Sequence, residues 1–198
     1  MSIDEQLRNS ETDPLRVDFL PASIHGLVGA IGITLAPGQR DVSNGWLRDL
    51  PTDMARLRVQ YRADCLISLI EPSEFATLGI SELGGCALAN GIRPIFFPIA
   101  DMHPPHERDR FAFIELVKGI IEAADAGQCV VIHCRAGVGR SGLVGASVLV
   151  ARGLCAAEAI NVVREVRSPK AVETEEQRAW VESLEGGFGP EANHRAGY

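Results

Sequence analysis

The stretch Val130-Val131-Ile132-His133-Cys134-Arg135-Ala136-Gly137-Val138-Gly139-Arg140-Ser141-Gly142 constrains this chain more than any other. It begins as a short apolar run rich in β-branched residues, the pattern of a buried strand. Residues 142–150 then form a segment that is apolar nearly all round, the pattern of a buried helix. The loop from Cys134 to Arg140 therefore joins a strand end to a helix N-terminus. Unpaired backbone N–H groups and the positive end of the helix dipole make such a junction an anion site. Gly137 and Gly139 let the backbone curl so that successive N–H groups point inward.

Three side chains add chemistry to this cradle. Cys134 lies in a positive field, where helix N–H groups and a nearby cation favour the thiolate over the thiol. Arg140 offers a planar fork that matches two oxygens of a phosphate. Ser141 can donate a hydrogen bond to sulfur when sulfur leaves. A nucleophilic thiolate inside a phosphate cradle implies transfer of a phosphoryl group to sulfur. The competing reading is a buried cysteine in a Gly-rich turn, since a free Cys is usually a small buried hydrophobe.

The run His133, Cys134, Gly137, Arg140, Ser141 fits His-Cys-x-x-Gly-x-x-Arg-Ser at every fixed position. It resembles the signature of the cysteine-dependent protein tyrosine and dual-specificity phosphatases. The resemblance implies an α/β fold with a mainly parallel central sheet flanked by helices. It also implies a phosphomonoesterase working through a phosphocysteine, with Cys134 and Arg140 catalytic. Arg135, Ala136, Gly137, Val138, Gly139 and Ser141 would bind the substrate phosphate. His133 alternates away from Cys134 and is expected to support the loop. Arg135 either greets the substrate or points into solvent.

Such a reaction needs a general acid on another loop. Asp101 follows an extended stretch, and loops at the carboxyl ends of parallel strands converge on one site. The family likeness points to the same residue, with Glu107 and Asp109 as fallbacks, and the Asp101 carboxylate can act in the next step as base toward the attacking water. The competing reading of Asp101 is a loop-capping aspartate. Gln177 resembles a glutamine that positions the hydrolytic water in several of these phosphatases, or it is an ordinary first-turn helix residue. His103 and His106 are expected to be solvated loop histidines rather than metal ligands. No metal or organic cofactor is expected.

The remaining chain reads as alternating strands and helices. Strands are expected at 17–20, 27–33, 65–70 and 92–99, and helices at 51–61, 71–78, 81–90, 107–126, 156–167 and 173–184, with Thr174 as an N-cap. Residues 1–14 and 186–198 read as flexible tails around a single phosphatase domain, 15–185. A further likeness, carried by Gly32-Ile33-Thr34-Leu35-Ala36-Pro37-Gly38 and Phe97-Pro98-Ile99-Ala100-Asp101, is to the kinase-associated phosphatase subfamily. It suggests a phosphoprotein substrate.

Composition narrows the partners. The 198 residues carry a net charge of −7, which argues against nucleic acid as partner and gives no pull toward anionic membranes. No apolar run approaches the ~20 residues of a membrane span. The first residues lack the basic and apolar regions of a signal peptide. Five cysteines, Cys65, Cys86, Cys129, Cys134 and Cys155, without close pairing suit a reduced, cytoplasmic protein. Two rivals stand beside the phosphoprotein reading. One is a phosphatase for phosphoinositides or small molecules, disfavoured by the absence of Lys in the loop. The other is a phosphate-dependent binding module without turnover, disfavoured by the intact Cys134 and Arg140.

Overall fold

Burial at all five positions of the strand Cys129–His133 dictates the middle of the sheet. A strand with no solvent face needs partners on both edges and cover on both sides. The computed structural model, which describes residues 7–188, supplies both. In chain order the elements are β1 (Asp18–Phe19), α1 (Ala22–His25), β2 (Ala30–Thr34), α2 (Leu50–Val59), β3 (Cys65–Ser68), α3 (Pro72–Thr77), α4 (Leu83–Ala89), β4 (Arg93–Phe96), α5 (Arg110–Asp125), β5 (Cys129–His133), α6 (Gly139–Ala151), α7 (Ala156–Val166) and α8 (Glu175–Glu182). The sheet order is β1-β2-β5-β3-β4. β2, β5, β3 and β4 are parallel, and β1 pairs antiparallel at one edge. The mixed α/β class and mainly parallel sheet are as expected from sequence.

Period-two alternation divides the core. Val130 and Ile132 of β5 with Ile67 of β3 face one layer, covered by α5, α6, α7 and α8. Val131 and Leu66 face the other, packed with Met54 and Leu57 of α2 and Leu83 and Ala87 of α4. Helix α6 is buried at every position, which explains why it carries no charged side chain after Arg140. Pro94 lies in β4, the edge strand, where a missing N–H is tolerated.

The register fixes where function can sit. Thr34 pairs across from His133, His133 from Ser68, and Ser68 from Phe96. The carboxyl ends of four parallel strands therefore share one edge, and the loops that follow them converge there.

Some boundaries differ from expectation. The segment expected to join two strands at 22–26 makes one helical turn, α1, closed by Gly26 at φ +67°. The helix expected from 107 opens with a 3₁₀ turn at Glu107–Asp109 before α5. Residues 7–14, expected to be loose, instead lie along the 38–49 loop. The Arg8 N–H donates to the Gly45 carbonyl at 2.9 Å, and the Leu47 N–H donates to that of Arg8 at 3.0 Å. The Arg8 guanidinium stacks 3.5 Å over the Trp46 ring, which anchors the segment through an aromatic face that sequence spacing does not advertise. Gly187 closes a turn onto Leu184. The rest of the expected tails, 1–6 and 189–198, lies outside the described residues. Among the described residues no helix is long and apolar enough to cross a membrane.

Candidate active site

The loop after β5 is built from the strand outward. His133 is fully buried, and burial drives its pKa down to about 4, so the ring is neutral at pH 7. Its Nδ1 lies 3.1 Å from the Cys134 carbonyl oxygen, which can only accept, so the single ring proton sits on Nδ1. The His133 ring thus donates to the backbone of the loop it precedes.

Cys134 is buried, and its Sγ lies 3.3 Å from both the Gly137 N–H and the Ser141 Oγ. Gly137 takes φ +72°, and a Cβ there would come within 2.4 Å of the Thr34 carbonyl oxygen. Only glycine fits this turn. The loop's carbonyls are tied off on its outer side. The Ala36 N–H donates to the Arg135 carbonyl at 3.0 Å. Arg167 donates to those of Gly137 (2.8 Å) and Ala136 (3.1 Å). Asp18 holds Arg167 at 2.7 Å. With these carbonyls satisfied outward, the amide groups are left for the concave side.

The Arg140 side chain is 1% exposed. Its two terminal nitrogens donate to the two Glu74 carboxylate oxygens at 2.5 and 2.9 Å. One also donates to the Ile99 carbonyl at 3.1 Å, and the other lies 2.9 Å from an Asp101 oxygen. Arg140 Nε has no partner among the described residues. Burial opposes the charge on both Arg140 and Glu74, yet their mutual hydrogen bonds win. The guanidinium is held more basic, and the Glu74 carboxyl lower, than usual.

Asp101 therefore lies beside Arg140. Its backbone neighbour Met102 adopts φ +65°, and the Met102 N–H donates to Asp101 Oδ1 at 3.1 Å. Three contacts pin this acid loop to the start of α8. Thr174 Oγ1 donates to the Met102 carbonyl (3.1 Å), Gln177 Nε2 to that of His103 (3.3 Å), and His103 Nδ1 meets Glu176 at 3.1 Å. The fallback Glu107 pairs instead with Arg110.

Two expectations are refined. Arg135, read from sequence as meeting either substrate or solvent, is paired with Asp41, which is buried. Burial opposes ionisation of Asp41, but hydrogen bonds from Asn44, Arg135 and Ser43 bring its pKa down to about 2. Gln177 is completely buried. Its Oε1 accepts the Glu173 N–H at 2.9 Å while its Nε2 serves His103, so its carboxamide ties loops together rather than facing water.

Four contributors were not identified from sequence: Glu74, Asp41, Arg167 and Glu173. Glu173 rests on the cradle, with one carboxylate oxygen 2.3 Å from where a Gly139 Cβ would stand. Burial pushes its pKa up and the negative Asp101 pushes it further, against the Gly139 N–H, Arg140 and Lys170. Its sequence signal was its place just before the N-cap Thr174; the left-handed Val172 before it, at φ +58°, is seen only in the fold.

Comparison with known proteins places this geometry. Residues 64–154 match the family model described as "Tc-R-P: Polymorphic toxin system, DSP-PTPase phosphatase". The fold is similar to a kinase associated phosphatase whose catalytic-site cysteine is replaced by serine. That match has a TM-score of 0.81 and 20% identity, over 90% of this chain and 98% of that one. Tk-PTP in its active form superposes with a TM-score of 0.66 at 27% identity, over 86% and 96% of the two chains. PTPMT1 in complex with PI(5)P superposes with a TM-score of 0.64 at 17% identity, over 82% and 94%.

Proposed function

The chain belongs to the cysteine-dependent dual-specificity phosphatases and is a phosphatase, and from that premise we propose that it hydrolyses phosphotyrosine or phosphoserine/threonine in proteins through a phosphocysteine. The observation that carries this reading is the surroundings of Cys134 Sγ, 3.3 Å from both the Gly137 N–H and the Ser141 hydroxyl in a loop that Arg140 closes.

In this route the Cys134 thiolate attacks phosphorus. The amides of residues 135–140 and the Arg140 guanidinium stabilise charge on the equatorial oxygens of the transition state. Phosphate oxygens compete with Asp101 for Arg140, which frees the Asp101 carboxyl to protonate the leaving oxygen. Ser141 steadies the sulfur when water later cleaves the phosphorus–sulfur bond. Each step uses side chains and water alone, with no metal or organic cofactor.

The mouth of the site favours a singly phosphorylated protein over a lipid headgroup. Arg135, the extra cation of the loop, is neutralised by Asp41, and Asp101 and Glu173 add negative charge beside the cradle. That arrangement repels further phosphates. The five cysteines are all unpaired, which suits a reducing compartment such as the cytoplasm.

The test is phosphate release from matched phosphotyrosine and phosphothreonine peptides, with chelator present and Cys134→Ser as blank. Turnover that vanishes in Cys134→Ser supports the route, and the ratio of kcat/KM values assigns the side chain. Peptides that bind without turnover would overturn it in favour of a binding module. Turnover confined to phosphoinositides would move the substrate to lipid.

A further inference from the structure

Asp101 pairs with Arg140 and Glu173 rests on Gly139, the residue before Arg140, and each carboxylate adjoins a residue forced into left-handed backbone. Met102 follows Asp101 at φ +65° and Val172 precedes Glu173 at φ +58°. For a β-branched valine this conformation is strained and persists only where the surroundings impose it. Here Val172 is buried, its N–H meets the Val138 carbonyl at 3.4 Å, and its carbonyl is met by Arg164 at 3.5 Å. The next residue's N–H is fixed by Gln177 at 2.9 Å. The chain thus spends backbone strain on aiming one side chain, and that side chain is the Glu173 carboxylate resting on Gly139, the first residue of α6.

From this placement we infer that Glu173 is the base for the second half of the reaction, taking a proton from the water that attacks the phosphocysteine. The inference rests on the phosphocysteine route proposed above. Water oxygen forms a bond to phosphorus while the phosphorus–sulfur bond breaks. Cys134 leaves as thiolate, and the water's proton goes to the Glu173 carboxylate, so hydrogen phosphate, thiolate and a protonated Glu173 result. Asp101 has by then given its proton to the first leaving group and is negative. A negative Asp101 raises the proton affinity of Glu173 at the moment a base is needed, consistent with the upward push it exerts on that carboxyl. Solvent then carries the proton from Glu173 back to Asp101. Gln177, with both ends of its carboxamide committed to backbone, is the positioning residue beneath it.

Pre-steady-state release of p-nitrophenol from p-nitrophenyl phosphate by the full chain tests this. Glu173→Gln keeps the shape and removes the base. The expected result is a burst approaching one equivalent per enzyme and then a steady rate lower by about 10- to 100-fold, the usual range of a lost general base. Its kcat/KM, which reports formation of the phosphocysteine, stays within about twofold of wild type. Formate added to Glu173→Ala restores part of the steady rate. Unchanged kcat without a burst overturns the inference, and so does a parallel fall of kcat and kcat/KM. If the wild-type chain releases no nitrophenol, the phosphocysteine route itself fails and the inference falls with it, a result distinct from either outcome in the variant.

Discussion

The Arg140 guanidinium is clasped on both terminal nitrogens by the Glu74 carboxylate, at 2.5 and 2.9 Å, although the two residues stand 66 positions apart. Glu74 also accepts the Glu71 N–H at 2.8 Å, closing a capping box at the start of α3. One carboxylate therefore fixes both a helix terminus and the phosphate-binding arginine. Glu74→Gln leaves a buried guanidinium under-compensated, a loss of about 2 kcal/mol in urea unfolding. It also loosens the phosphate fork, lowering kcat/KM by roughly 10- to 100-fold. The folded-state pKa of Glu74 is depressed, so its contribution is complete above the usual carboxylate range and fades as pH falls through the lower folded value. The stability gap between wild type and variant should close in acid. A gap that widens as pH falls contradicts this account.

Much of the site was legible because local sequence encodes local geometry. Cys134, Gly137, Arg140 and Ser141 sit on one strand–loop–helix unit, and hydrophobic period alone places that unit. Thr174 as N-cap was equally local, and its Oγ1 accepts the Gln177 N–H at 3.2 Å. Glu74 was hidden because its sequence surroundings, Pro72-Ser73-Glu74, are those of any helix start. Asp41 and Arg167 were hidden for a different reason. Asp41 meets the phosphate loop from the loop after β2 and Arg167 from the end of α7, and only tertiary packing brings those segments together. Gln177 had the signal of a functional residue, yet it is buried, whereas Glu173, four positions earlier, is exposed and rests on Gly139.

Asp41 and Arg135 set the charge at the mouth. The Asp41 carboxyl lies at about 2, below its ordinary 3.8. A depressed folded pKa stabilises the protein above the unfolded value, and that stabilisation is lost between about pH 4 and pH 2. Asp41→Asn should destabilise by about 1–2 kcal/mol at pH 7, with the difference shrinking below pH ~3. Freed from its partner, Arg135 should raise kcat/KM toward a phosphoinositide bisphosphate relative to a phosphopeptide. Urea melts at several pH values and a paired substrate assay read the two effects separately.

His133 makes the opposite kind of pH dependence. Its ring is neutral in the fold down to about pH 4, whereas the unfolded chain takes up a proton near 6.5. Between those values the unfolded state binds more protons, so stability rises with pH and falls as the solution is acidified. The span corresponds to about 3 kcal/mol at most. His133→Asn, which can still donate to the Cys134 carbonyl, should flatten this slope between pH 6.5 and 4. An unchanged slope in the variant would place its origin elsewhere.

Gly137 and Gly119 form a matched pair for testing how tightly the cradle is built. A methyl at Gly137 meets the Thr34 backbone oxygen at 2.4 Å and must also adopt φ +72°, and no side-chain rotation relieves either conflict. The loop itself has to shift. A displacement of about 1 Å at a reacting centre costs on the order of 100-fold in rate, whereas left-handed alanine costs on the order of 1–2 kcal/mol in stability. Gly137→Ala should therefore lose far more activity than stability. Gly119 lies inside α5 with nothing within 4 Å of an added methyl, so Gly119→Ala should stabilise by about 0.5–1 kcal/mol through helix propensity and leave kcat/KM unchanged. Equal losses of activity in the two variants would mean that the cradle tolerates displacement, and that the amide ring around Cys134 does not set the rate.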